Sequence, residues 1–326
     1  MESIRYIPNL TSEDKLLLDI RERRRLIWTI TRSFLEADNY KHLKYGEKRK
    51  RHWHLFETLI QIFGRMLDLT PLSQMGLQNA MNIVVNQIDL PFPDLPEPFH
   101  GYTILHMTDL HLDLVPGIEN LIGAQIENLF VDMCVLTGDY REKVSGGYKQ
   151  ILSPMRKIVS CINATDGIFA TLGNHDSYQM VDDFERMGIT VLANETTDIV
   201  REGKRMYVTG LDDPYYYYTD QSIRALEEAP EGFKIALVHA ASLFDAAADN
   251  GYSLYLCGHT HGGQICLPGG KPIIVYLRYG RKYYRGLWRY ANMTGYTGQG
   301  TGTCGIPVRF NTQSEITLFR LKKSQG

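Results

Sequence analysis

Apolar positions recur at helical spacing over about the first 88 residues, then regroup as short runs separated by polar loops. Thr11-Ser12-Glu13-Asp14 resembles a capping box ahead of a stripe of Leu16, Ile20, Ile27, Ile30 and Phe34. Arg21, Arg23, Arg24 and Arg25 fall on the polar side, and Lys48-Arg49-Lys50-Arg51 forms a second basic cluster. A second stripe runs through Leu55, Leu59, Ile62, Phe63, Met66 and Leu69. Pro71 and Gly76 interrupt it, and a further helix is expected over Met75–Val85. The favoured reading is a helical appendage packed on the main domain or on a second subunit. The alternative is a basic amphipathic element at an anionic membrane surface. Residues 89–98, DLPFPDLPEP, hold four prolines and read as a stiff, extended connector. They divide the chain into a helical extension (1–88) and a main domain (89–326).

Strand-length runs follow: Tyr102–Met107, Val131–Leu136, Ile168–Leu172, Arg205–Gly210, Lys234–Val238, Leu254–Cys257, Ile273–Leu277 and Glu315–Leu321. Helix-length segments such as Ile118–Phe130 and Tyr148–Ile162 lie between them. This alternation predicts an α/β domain. Tyr215–Tyr218, four tyrosines in a row, read as an aromatic loop.

Composition narrows the classes. Of 326 residues, 44% are hydrophobic, enough for a sizeable core, and the net charge of −2 gives no global pull toward nucleic acid or membrane. Five cysteines, an odd number without a CxxC, argue against a disulfide framework. No run of 18 or more apolar residues and no signal-peptide pattern occur, so the expected location is cytoplasmic.

Polar clusters close five of the runs. TDLHLD brings Asp109 and His111, TGDY brings Asp139, LGNHDS brings Asn174 and His175, VHAAS brings His239, and GHTHGG brings His259 and His261. Strand ends converge on one crevice in an α/β sheet, so clusters distant in sequence meet in space. Each is weak alone, and His42, His52, His54, His100 and His106 keep an ordinary structural reading. Together they supply oxygen and nitrogen donors without a thiolate. That set suits Mn, Fe, Zn, Co or Ni rather than a structural cysteine–zinc knot. The donors are too many for one ion, which implies a pair about 3.5–4 Å apart sharing a carboxylate and a hydroxide. Asp139, after the tight Gly138 turn, is the natural bridge.

The order D-x-H, GD, GNHD, H, GHTH resembles the calcineurin-like metallophosphoesterase superfamily over residues 99–321. LPFPDLPEPFHGYTILHMTDLH and TGQGTGTCGIPVRFNTQSEITLF are similar to its YkuE-like bacterial branch. The resemblance implies a four-layer αββα sandwich, here with an N-terminal helical extension, and a centre of two divalent metal ions, manganese first among the candidates. It implies a first metal held by Asp109, His111, Asp139 and His261, and a second held by Asp139, Asn174, His239 and His259. His175 matches the histidine that contacts the scissile phosphate or leaving group, and Asp109 is expected to orient it. Arg309 and, more weakly, Arg141 are candidate phosphate contacts. Two features depart from the branch. Ala240-Ala241 follows His239, and a basic helical segment replaces the export signal or anchor.

The implied activity is phosphoester hydrolysis, of phosphodiester type. Substrates would be small-molecule or lipid-linked phosphoesters, and no nucleic acid is expected. One specific alternative is a UDP-2,3-diacylglucosamine pyrophosphohydrolase, with the N-terminal helices touching the inner membrane face or forming a homo-oligomer contact. A non-catalytic scaffold on the same fold is the rival of another class.

Overall fold

The computed structural model describes residues 12–45, 51–277 and 279–324, with side chains for 20–39, 58–277 and 279–324. Readings that rest on Thr11, on residues 48–50 or on the side chains of Leu16 and Leu55 lie outside the described residues.

Three helices come first: α1 (Ser12–Tyr45), α2 (Arg51–Asp68) and α3 (Pro71–Met81). Thr70 caps α3 by accepting from the Leu72 amide at 3.3 Å, and Pro71 sits in the first turn, where no N–H is needed. Gly76 does not end a helix. It lies inside α3, where a Cβ would come within 2.7 Å of the Val308 side chain. The chain then enters β1 (Ile83–Phe92). The helix expected over Met75–Val85 therefore ends early, and the first residues of the proline-rich connector belong to a strand. That strand is at the sheet edge, where Pro91 removes no required ladder donor.

The chain continues through β2 (Thr103–Met107), α4 (Ile118–Ile126), β3 (Phe130–Val131) and β4 (Met133–Thr137). Next come α5 (Leu152–Ser160), β5 (Asn163–Ala164), β6 (Ile168–Thr171), α6 (Val181–Arg186) and β7 (Ile189–Val191). The second half holds β8 (Glu195–Arg201), β9 (Lys204–Gly210), α7 (Asp220–Glu227), β10 (Phe233–Leu237), α8 (Phe244–Asp249) and β11 (Leu254–Cys257). It closes with β12 (Gly286–Tyr290), β13 (Met293–Thr297) and β14 (Ser314–Lys323). The run Ile273–Leu277 forms no strand.

Two six-stranded sheets result, ordered β1-β14-β2-β4-β6-β7 and β12-β13-β11-β10-β9-β8, with β3 and β5 as a separate short pair. Their inner faces share one core in which Ile104, Val135 and Phe319 meet Val208, Ile235 and Leu256. Outside the first sheet, Ile122, Met155, Ile158 and Phe184 from α4, α5 and α6 fill a second core. Outside the other, Leu226 and Phe244 from α7 and α8 pack with Trp288. The layers run αββα, as the sequence motifs imply. Each fully buried Leu, Ile or Phe contributes about 1.5–3 kcal/mol to holding them together.

The register of α1 differs from the expected one. Ile27, Ile30 and Phe34 are 52%, 48% and 71% exposed, whereas Trp28 and Arg32 are 3% and 1% exposed. The Trp28 indole donates to Asp212 at 2.8 Å, and Arg32 pairs with Asp212 and Glu36 and stacks on Tyr217. Arg21, Arg24 and Arg25 pair with Glu195, Glu228 and Glu185. A polar anchor thus docks the helix on the main domain, and these arginines meet protein carboxylates. No described helix is long and apolar enough to cross a membrane.

Candidate metal centre

Strands β2, β4 and β6 are mutually parallel in one sheet, and β10 and β11 are parallel in the other. The loop after each carries one of the five polar clusters. These loops are tightly wound. Asp109, His111, Asp139, His259 and His261 all have positive φ, between 40° and 74°. Left-handed backbone in non-glycine residues costs about 1–3 kcal/mol each and persists only where the surroundings impose it. Glycines permit the close approach. A Cβ on Gly258 would sit 2.2 Å from an Asp109 oxygen, and one on Gly173 would sit 2.2 Å from an Asp139 oxygen.

Asp139 lies at the centre. Its Oδ2 is 3.1 Å from His239 Nε2 and 3.9 Å from the Nε2 of His111 and of His175. Its Oδ1 accepts from the His175 amide at 2.9 Å. The His239 Nδ1–H donates to the Thr137 carbonyl at 2.7 Å, which leaves Nε2 to face Asp139, Asn174 Oδ1 at 3.1 Å and His259 Nδ1 at 3.2 Å. On the other side, Asp109 Oδ1 is 3.3 Å from His261 Nε2. Two donor groups, Asp109-His111-Asp139 and Asp139-His239-His259, each gather within 4.8 Å. They share Asp139.

The electrostatics fit a cation site. Burial alone would depress His239, but Asp139, Asp109 and Asp213 push it up to about 10. Burial also opposes protonation of His111, yet Glu142 and Asp139 raise it to about 9. Burial and the His239 charge lower His259 to about 3. The His111 Nε2 is buried and has no hydrogen-bond partner. Buried polar atoms rarely stay unpaired, so oxygen and nitrogen donors gathered around this nitrogen suit divalent cations.

His175 lies at the edge of this centre. Its Nδ1–H donates to the Glu142 carbonyl, leaving Nε2 toward the cavity. The expected orienting role of Asp109 is not formed. Asp109 accepts instead from the His259 amide at 2.9 and 3.1 Å and from the Thr108 hydroxyl at 2.7 Å.

The two arginines also differ from expectation. Arg309 is fully buried and donates to the carbonyls of His261, Gln299, Gly300 and Gly302. Arg141 donates to the carbonyls of His175, Val144 and Gly146. Neither lines the cavity. Each holds loops together, because its planar fork matches several converging carbonyls.

Four supporting residues escape a reading by motif. Asp176 accepts from the amides of Asp139, Tyr140 and Gly173, stapling the GD and GNHD loops. Arg32, from α1, donates to the carbonyls of Gly173 and Asp176 at 3.1 and 2.8 Å. Glu142 sits 3.1 Å from His111 Nδ1 and accepts from the Gly305 amide at 2.7 Å. Cys304 lies beside His111 and His261. An acidic residue two or three positions past a GD or GN turn was the available signal for Asp176 and Glu142. Arg32 and Cys304 gave none.

A cavity of about 900 Å³ opens from Asp139, Asn174, His175, His259 and His261. Away from these residues its walls are mostly apolar, including Leu59, Ile60 and Phe63 of α2 with Ile273, Ile274 and Ile306, and Lys143, Tyr215 and Tyr216 also line it. The apolar run expected as a strand over Ile273–Leu277 thus lines a cavity.

Comparison with known proteins agrees with this geometry. Residues 102–263 match the calcineurin-like phosphoesterase family. The uncharacterized metallophosphoesterase YkuE of Bacillus subtilis is 30% identical over 242 residues, 71% of this chain and 82% of its own length. The uncharacterized metallophosphoesterase YkoQ of the same organism is 25% identical over 271 residues, 78% of this chain and 97% of its own. Phosphodiesterase YaeI of Escherichia coli is 28% identical over 245 residues, 71% and 84% of the two chains. With its donor loops at the strand ends of an αββα sandwich, the chain belongs to the calcineurin-like metallophosphoesterases and is a hydrolase of phosphoric esters.

Proposed function

We propose that the protein is a binuclear, phosphodiesterase-type hydrolase, with Asp139 shared between its two cation positions. The observation that carries this is the placement of the Asp139 carboxylate between His111 and His239, at 3.9 and 3.1 Å. Asp109, His111, Asp139 and His261 would hold one cation, and Asp139, Asn174, His239 and His259 the other. Manganese is first among the candidates, with Fe, Zn, Co or Ni as alternatives. Bound there, two divalent cations would neutralise charge on the phosphoryl oxygens and lower the pKa of bound water to about 7.

The protein's own residues do the rest. Thr108 and the His259 amide fix Asp109. The Thr137 carbonyl fixes the His239 ring. The Glu142 carbonyl holds His175 with Nε2 toward the cavity, placed to give a proton to the leaving oxygen. Hydrolysis of an aryl phosphodiester by the purified protein is the test. Chelation should abolish it and divalent metal should restore it. Turnover that survives complete chelation would contradict the proposal.

The apolar cavity favours a second reading within this class, an amphiphilic phosphoester whose chain lies along α2. A lipid nucleotide such as UDP-2,3-diacylglucosamine is one example, identified by release of UMP. The exposed apolar positions of α1 and α2, among them Phe34, Ile62 and Met66, would then face a lipid–water interface. For an ester series of increasing chain length, kcat/KM should rise by up to about fourfold per methylene until the cavity is filled. A flat dependence would exclude this reading and leave the reaction class intact.

A further inference from the structure

We infer that Cys304 is a thiolate ligand of the first cation position, alongside His111 and His261. The inference rests on the two-cation reading above and adds a donor type absent from the oxygen–nitrogen set.

The Cys304 Sγ and ring nitrogens of His111 and His261 all lie within 4.8 Å of one another. Donors at about 2.0–2.3 Å from one ion of coordination number four or five are roughly 3–3.5 Å apart, so a small side-chain adjustment brings this trio onto one ion. His111 is 1% exposed, and its Nε2 has no hydrogen-bond partner. That nitrogen is an independent sign of a missing ligand.

The backbone around Cys304 is fixed from three sides. Gln264 grips the residue itself, its Oε1 accepting from the Cys304 amide and its Nε2 donating to the Cys304 carbonyl, both at 2.9 Å. The next amide, Gly305, donates to the Glu142 Oε1 at 2.7 Å, while the Glu142 Oε2 faces His111 Nδ1 at 3.1 Å. Arg309 ties the loop to His261, donating to the carbonyls of Gly302 at 2.7 Å and His261 at 3.0 Å. The thiol is therefore held in register with both histidines. The Cys304 thiol itself donates to Glu142 Oε1 at 3.8 Å, a contact that cation binding would replace, and the other cysteines nearby have partners of their own. Cys257 Sγ is 3.2 Å from Thr297 Oγ1, and Cys266 Sγ is 3.6 Å from the Gly262 carbonyl.

A cysteine binds metal as the thiolate, so its proton leaves as the cation enters. A soft sulfur donor beside two imidazoles favours zinc or iron(II) over manganese. The two positions would then differ in preference, the first thiophilic and the second served by oxygen and nitrogen alone.

The test uses the metal-free protein, loaded with cobalt(II) and, separately, with zinc. The wild type should bind two cobalt ions and show thiolate-to-cobalt charge transfer in the near ultraviolet. Cys304→Ser should lose that absorption, whereas Cys161→Ser and Cys266→Ser should keep it. X-ray absorption of the zinc-loaded wild type should contain a sulfur shell at about 2.3 Å, a readout independent of any variant's folding. Zinc affinity of Cys304→Ser should fall by at least about 10–100-fold, the loss typical of removing even an outer-shell partner. Two bound cobalt ions without a charge-transfer band, or a zinc shell of nitrogen and oxygen only, would overturn the inference alone. Failure to bind cobalt at all would overturn the two-cation reading beneath it.

Discussion

At the residue scale, the centre works by giving each side chain one task and one orientation. The Thr137 carbonyl decides which nitrogen of His239 points inward, and the Glu142 carbonyl does the same for His175. His175 is 3.9 Å from Asp139 through Nε2, so its ring borders the candidate donors without being surrounded by them. His175→Ala should therefore retain full metal content. Its kcat should fall by about 10²–10⁴, read by elemental analysis and steady-state kinetics on the same sample. Near-wild-type turnover would remove His175 from the reaction. The arginines teach the opposite lesson. Arg309 and Arg141 were attractive as phosphate contacts because they neighbour the motifs, but the terminal nitrogens of Arg309 and all three nitrogens of Arg141 donate to carbonyls. Sequence adjacency says where a guanidinium starts and nothing about where it ends.

At the scale of elements, α1 is more than an appendage. Arg32 crosses from it into the main domain, pairs with Asp212 and holds the carbonyls of Gly173 and Asp176 under the GNHD loop. Removing one partner of a buried ion pair strands the other charge. Arg32→Ala should cost about 3–5 kcal/mol of stability, measured by denaturant unfolding. As a positioning residue, it should lower kcat more than it raises KM, and Arg32→Lys should restore part of both. Unchanged stability and kinetics would make the contact incidental. The helix itself was legible from its apolar spacing, but its buried face was not. The stripe through Ile27, Ile30 and Phe34 is exposed, and the anchor is Trp28 with Arg32. Periodicity locates a helix. It cannot reveal a carboxylate 180 residues away in sequence that neutralises a buried arginine. For the same reason β1 escaped notice. Prolines argue against a strand unless its edge position is known, and that depends on β14, at the far end of the chain.

At the scale of the whole molecule, the sandwich brings strand ends from two sheets to one point. The candidate donors are spread from Asp109 to His261, yet they were readable because this chemistry demands Asp, Asn and His at strand ends in a fixed order. The cavity was not readable. Its walls combine α2 with the loop around Ile273 and Ile274, and no motif links them. The proposed hydrolysis requires two cations sharing Asp139. The direct measurement is metal bound per chain as the metal-free protein is titrated, with phosphodiester turnover followed in parallel, for wild type and Asp139→Asn. Two ions per wild-type chain, with turnover appearing as the second binds and both lost in Asp139→Asn, is the predicted result. Full turnover with one ion or none, or an Asp139→Asn protein that keeps two ions and normal turnover, would contradict it.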